Sequence, residues 1–211
     1  MIKFEIGNPF PSIELSQHGP AEIRAHSIKV DQWLGLRVDD IETELLLSGT
    51  RQQPANANGE FQTLWFGLDA QVLLTPYVEI REILRRLNPQ AGETVVDLGA
   101  AYGRVGFVLA RHYPGVSFAG YEYVGERVDE ANRCLSKFAI NKKDQCEVAV
   151  HHSDLSAPDL YIHPAEHFFL YDFGTHKVIE QILFSLRRLA LQKKISIVAR
   201  GRHSQIGRAH V

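Results

Sequence analysis

The sequence predicts an α/β protein built on a doubly wound parallel sheet. Three observations carry this. Short apolar, β-branched runs such as Val95-Val96 read as strands buried on both faces. Such runs alternate with helical patterns from Thr94 onward, which defines consecutive βαβ units. Between the first strand and its helix lies a tight loop bracketed by Gly99 and Gly103, followed by Val105, Val108 and Leu109 at helical spacing.

Taken in order, residues 1–60 form an N-terminal extension with weak signals. Lys3 to Ile6 is expected as a short strand and Asp39 to Leu47 as a helix with Ile41, Leu45 and Leu46 on one side. The polar, Gly- and Asn-rich run from Ser48 to Gly59 is a loop by composition. The main domain is placed at 61–204. Thr75 fits a helix N-cap and Pro76 the first helical position, with Ile80, Ile83, Leu84 and Leu87 on the buried face and Asn88-Pro89 as the stop. Strands are expected at Thr94–Leu98, Val116–Tyr121, Cys146–His151, Phe168–Tyr171 and Ile195–Ala199. Helices are expected at Arg104–His112, Gly125–Phe138 and Lys177–Ala190. The crossover around Ser156–Glu166 is short and contains prolines, so its helix is expected to be stunted.

The glycine loop is the chemically specific feature. A dinucleotide fingerprint requires Gly-x-Gly-x-x-Gly, and counting from Gly99 the required positions hold Ala101 and Arg104. A P-loop would need a second glycine where Arg104 stands. Asp97, just before the loop, would repel a phosphate and suits a ligand bearing positive charge, such as an amine or a sulfonium.

Asp97-Leu-Gly99-Ala-Ala101-Tyr102-Gly103 resembles motif I of the class I S-adenosylmethionine (SAM)-dependent methyltransferases, with Ala101 in place of the middle glycine. The resemblance implies a Rossmann-like fold, SAM as cofactor and a loop of Gly99, Ala101, Tyr102 and Gly103 that approaches it. The segment from Leu74-Thr75-Pro76 through the following helix to Leu98-Gly99 is similar to the layout of the protein-lysine branch, including the Dot1-like enzymes. By that resemblance Thr75 touches the methionine part of SAM; a plain N-cap is the competing role.

In open α/β sheets, ligands bind beyond the carboxyl ends of the strands. Glu122 ends the second strand, where a carboxylate can accept hydrogen bonds from both ribose hydroxyls. Tyr123 beside it is a candidate to pack on adenine. Asp154, after the third strand, resembles the acid that receives the adenine amine in the family, with Leu155 offering a backbone amide or an apolar contact to the ring. Turn or cap duty is the alternative for Asp154. Asp172, in Tyr171-Asp-Phe-Gly174 after the fourth strand, is the candidate catalytic residue, to hold or deprotonate the methyl acceptor. Its alternative is a favourable acid at the next helix N-terminus.

Composition bounds the remainder. The 211 residues suffice for one substantial domain with an appendage. A net charge of -2 gives no reason to expect a nucleic-acid or membrane partner. Two cysteines, Cys134 and Cys146, make neither a disulfide framework nor a metal spacing, which points to the cytoplasm. No metal is expected, and the scattered histidines, including His151-His152 and His163/His167, are read as capping, solvent-facing or core residues. The acceptor, protein or small molecule, is not identified, with protein lysine preferred. The rival functions are a non-catalytic SAM-binding domain and a nucleotide-binding oxidoreductase.

A class I sheet normally continues past the fifth strand, so the domain is expected to be incomplete. Ile206-Gly-Arg-Ala-His-Val211 is what the sequencing-adapter bases ATC GGA AGA GCA CAC GTC encode. Residues 205–211 are accordingly read as a non-native tail.

Overall fold

The computed structural model describes residues 1–48, 70–139, 146–171 and 174–200. Five strands form one sheet: β1 (Thr94–Leu98), β2 (Ser117–Glu122), β3 (Val148–His152), β4 (His167–Tyr171) and β5 (Ser196–Arg200). Their spatial order is β3-β2-β1-β4-β5 and every neighbouring pair is parallel. The chain therefore winds outward from β1 in both directions, and strand order reverses between β1 and β4.

Alternation along each strand divides the core in two. Val95, Phe118, Val150 and Phe169 face one side, with α4 (Tyr77–Leu87), α5 (Arg104–His112) and α6 (Gly125–Ala139) over them. Val96, Leu98, Ala119, Tyr121, Phe168 and Leu170 face the other, under Val178, Ile182 and Leu186 of α7 (His176–Ala190). With both faces covered, the strands read as continuous apolar runs. Glycine brings the first layer close. A Cβ at Gly106 of α5 would lie 2.7 Å from the Phe118 ring, so the helix sits directly on β2.

The N-terminal segment is mainly helical. After a short 3-10 helix at Leu15–Gln17 come α1 (Pro20–Leu34) and α2 (Val38–Leu47), and α3 (Ala70–Leu73) precedes α4. Val30, Leu36, Val38, Ile41 and Leu45 belong to the same apolar cluster as α5 and the sheet. Pro20 opens α1 at its first position and Gly35, at φ 71°, closes it. The buried face of α1 includes His26, Ser27 and Asp31, which breaks the apolar periodicity and hides the helix from sequence inspection.

Two local expectations are corrected. Lys3 to Ile6 is not a strand; it leads into a turn in which the Asn8 amide donates to the Glu5 carbonyl at 3.0 Å, and it pairs with no sheet edge. Thr75 is not the N-cap of α4. Pro76 takes that position with extended ψ of 142°, and the helix starts at Tyr77. A residue that precedes proline is itself pushed toward extended backbone, which displaces the helix start. The Ser156–Glu166 crossover has turns and no helix, in line with its prolines. The loop expected over Ser48–Gly59 falls, after Ser48, outside the described residues.

Candidate functional site

Asp97 and Glu122 lie on the same face of the sheet, at the carboxyl ends of adjacent strands. Asp97 is in register with Gly120, and Glu122 is two residues further along β2. Gly120 leaves room there: a Cβ on it would come within 2.7 Å of the Ala100 methyl. Both acids are nearly buried, at 7% and 6% exposure.

Their surroundings differ. Glu122 is tied down: Oε2 accepts from the Ala101 amide and Oε1 from the Val124 amide, each at 2.9 Å. Asp97 receives no hydrogen bond from any described residue. Burial, and after it the neighbouring Glu122 charge, pushes the Asp97 carboxyl up to about 7.

The loop between β1 and α5 is held by backbone geometry. The Gly99 and Ala100 amides both donate to the Tyr121 carbonyl at 2.9 Å, which turns the chain off β1. Gly99, Ala101 and Gly103 have φ of 86°, 45° and 70°. At Ala101 this left-handed conformation places a strained non-glycine residue in the loop. Gly103 is also hemmed in, since a Cβ there would meet Val150 Cγ2 at 3.0 Å.

The N-terminal helices grip both sides of Gly103. Tyr102 is fully buried and donates its hydroxyl to Glu42 of α2 at 2.7 Å, so its ring faces the appendage; burial raises its phenol further. Arg104, only 4% exposed, pairs with Asp31 of α1 and donates to Gln71 Oε1 at 2.8 Å and the Thr75 carbonyl at 3.2 Å. Its guanidinium also lies 4.8 Å over the Tyr77 ring. Tyr77 and Gln71 complete the Asp31 shell at 2.7 and 3.0 Å. Arg127 of α6 binds Glu42 through Nε and Nη2 at 2.8 and 2.9 Å, with Nη1 3.7 Å from Glu122.

Asp31, Glu42, Arg104 and Arg127 were not selected from sequence. Arg104 carried a signal, because a cation in the first turn of a helix opposes the helix dipole and calls for an acidic partner.

At the end of β3 the Ser153 amide donates to the Glu122 carbonyl at 2.8 Å, joining the two strand ends. Asp154 Oδ1 accepts from the Ser156 amide at 2.8 Å and its hydroxyl at 2.6 Å, a turn-stabilising arrangement. Leu155 packs against the second core cluster. Tyr123 is half-buried, and its carbonyl receives His152 Nε2 at 2.8 Å. Thus Asp97, the glycine loop, Glu122 and the Ser153–Leu155 turn share one end of the sheet. Thr75 connects to the loop through Arg104. Asp172 lies outside the described residues. Among the described residues no cluster of three or more His, Cys, Asp or Glu side chains could hold a metal, and no helix is long and apolar enough to cross a membrane.

No family model and no curated protein matches the chain. Among solved structures it is similar to an RNA methyltransferase from Salinibacter ruber in complex with S-adenosyl-L-homocysteine. The match has 21% identity and a TM-score of 0.44, over 60% of this chain and 76% of that one. It is also similar to precorrin-6y C5,15-methyltransferase from Geobacter metallireducens, with 19% identity, TM-score 0.47 and coverage of 60% and 62% respectively. TrmN from Thermus thermophilus matches at 15% identity and TM-score 0.37, over 55% of this chain and 32% of that one. At such identities and TM-scores these likenesses assign no residue a role.

Proposed function

We propose that the chain is a SAM-dependent methyltransferase domain. The observation that supports it most is Asp97: a buried carboxylate without a hydrogen-bond donor among the described residues, at the lip of a glycine loop and beside a second carboxylate. Such a pair disfavours phosphate and suits a ligand that brings both a cation and hydroxyl donors. A dinucleotide would place a pyrophosphate against the same loop, where Asp97 would oppose it.

The residues present fit SAM. Asp97 is assigned to the ammonium of its amino-acid part. Glu122 can accept up to about four hydrogen bonds as a carboxylate, so the amides of Ala101 and Val124 leave it capacity for the ribose hydroxyls. Tyr123 and the Asp154-Leu155 turn are assigned to the adenine. The backbone of Gly99 to Gly103 is assigned to approach the cofactor, and Thr75, whose carbonyl accepts from Arg104, is assigned to its methionine part. When bound, SAM supplies a methyl group on a good leaving group. The chain's contribution is then alignment, which can be worth about 7–11 kcal/mol in well-oriented systems. Asp172 is assigned to the acceptor. A protein amine is proposed as that acceptor, from the Thr75–Leu98 layout.

Calorimetric titration with SAM, S-adenosylhomocysteine and NAD tests the cofactor. SAM and S-adenosylhomocysteine are expected to bind, and binding of NAD alone overturns the assignment. Replacement of both Asp97 and Glu122 by alanine is expected to abolish binding. Transfer of a tritiated methyl into fractionated lysate then separates protein, RNA and small-molecule acceptors, and Asp172→Asn tests the catalytic role.

A further inference from the structure

We propose that Glu42 is a positioning residue for this site: by holding Arg127, it keeps Glu122 available to the ribose of the cofactor. The inference rests on the cofactor assignment above and extends it to a helix outside the sheet.

Glu42 sits on α2, yet its carboxylate holds Arg127 of α6 through two hydrogen bonds. Two guanidinium nitrogens bind it side-on at 2.8 and 2.9 Å, and Tyr102 of the glycine loop donates to it at 2.7 Å. The third nitrogen, Nη1, stands 3.7 Å from Glu122 Oε1, within ion-pair range but too long for a hydrogen bond. The side chains of Arg127, Glu42 and Glu122 are only 12%, 16% and 7% exposed. Water therefore cannot readily replace a lost partner of Arg127.

Removing the Glu42 charge leaves Glu122 as the carboxylate nearest Arg127 among the described residues. A shift of about 0.8 Å would turn the 3.7 Å approach into a charge-assisted hydrogen bond. That bond would occupy Oε1, on the oxygen shared with the Val124 amide, and would draw the carboxylate away from the Ala101 amide. It would also neutralise one of the two negative charges at the site. Glu42 thus prevents an internal cation from competing with the ligand.

The test is titration of the full chain with S-adenosylhomocysteine, comparing wild type, Glu42→Gln, and Glu42→Gln combined with Arg127→Met. Glutamine keeps one acceptor oxygen for Tyr102, and loses the charge together with the second acceptor that meets Arg127 Nη2. Glu42→Gln is expected to weaken binding about tenfold, and the double variant to recover most of that loss, because the competing cation is gone. Glu42→Asp, which keeps the charge but reaches less far, is expected to fall between wild type and Glu42→Gln. A merely structural clip predicts the opposite order, with the double variant weakest. Wild-type affinity in Glu42→Gln, or no recovery in the double variant, overturns the proposal. Failure of wild type to bind S-adenosylhomocysteine overturns the cofactor assignment itself, and this role with it.

Discussion

Asp31 of α1 and Arg104 at the start of α5 form an ion pair whose side chains are 5% and 4% exposed, across 73 residues of sequence. It joins the N-terminal helices to the residue that follows the glycine loop. Asp31 has further donors in Tyr77 and Gln71. A buried pair satisfied in this way tolerates removal of one partner poorly, because the other is left charged and unsolvated. Asp31→Asn is expected to destabilise the fold by roughly 3–5 kcal/mol, read from urea unfolding. A change below about 1 kcal/mol, the value of a surface pair, would show that the network does not hold the two units together.

Asp97 gives the site a pH dependence whose sign can be worked out. Burial and then the Glu122 charge raise its folded pKa to about 7, against about 3.9 unfolded. The folded state therefore favours the protonated form. The resulting stabilisation is complete below the unfolded value, declines as pH rises, and is lost above the folded value. Asp97→Asn removes this dependence. Relative to wild type, the variant should gain about 2–3 kcal/mol more at pH 8 than at pH 5, at about 1.4 kcal/mol per pKa unit. Equal differences at the two pH values would contradict the raised pKa. A cationic ligand needs the ionised form, so wild-type affinity for S-adenosylhomocysteine should rise between pH 6 and 8, and Asp97→Asn should show weak, flat binding.

The central sheet was legible because its strands are apolar on both faces. Val95-Val96 and Phe168-Phe169 send successive residues into separate clusters, so they read as uninterrupted apolar runs. The strand β1 and helix α5 were placed with the bounds the structure shows. Asp97, Glu122 and Asp154 were legible as strand-end acids, since α/β topology fixes which end matters. The appendage was legible in α2 alone, expected over Asp39–Leu47 and found at Val38–Leu47. Its helix α1 buries Asp31 and His26 where a periodicity search expects leucine. The roles of Asp31 and Glu42 depend on partners 73 and 85 residues away, and no local pattern encodes such pairs.

Ala101 and Gly103 have similar backbone conformations in different surroundings. Ala101 is held at φ 45°, where an L-residue is disfavoured by about 1–2 kcal/mol. Glycine there relieves the strain but loses some unfolded-state restriction. Ala101→Gly is expected to stabilise the fold by about 0.5–1 kcal/mol and to leave S-adenosylhomocysteine binding as tight or tighter. Gly103→Ala places a Cβ 3.0 Å from Val150 at φ 70°, so strain and crowding add. It should destabilise by about 2 kcal/mol or more. Opposite signs in urea unfolding check the pair; a destabilising Ala101→Gly would place the loop in another conformation.

Glu130 of α6 provides the acid-sensitive anchor of the appendage. Its side chain is 1% exposed and accepts from the Arg37 amide at 2.7 Å and from Arg133 at 2.6 and 2.8 Å. Arg133 also reaches the Gly35 carbonyl, so the α1–α2 turn is fastened to α6 at several points. Burial alone would raise the Glu130 carboxyl, but hydrogen bonds from Arg133 and Arg37 outweigh it and hold the group at about 2. The folded pKa lies below the unfolded value of about 4.3, so the stabilisation is present above that value and lost as pH falls toward 2. Held from about 4.3 down to about 2, the carboxyl contributes roughly 3 kcal/mol. Arg37 and Arg133 are 58% and 37% exposed, so water can take over their solvation when the carboxylate is removed. Glu130→Gln should therefore cost about 3 kcal/mol at pH 7, and less as the pH is lowered, converging on wild type near pH 2. Urea unfolding of both proteins between pH 7 and 2.5 measures this. A deficit that stays constant with pH would mean that Glu130 contributes shape alone and that its charge does not anchor the turn.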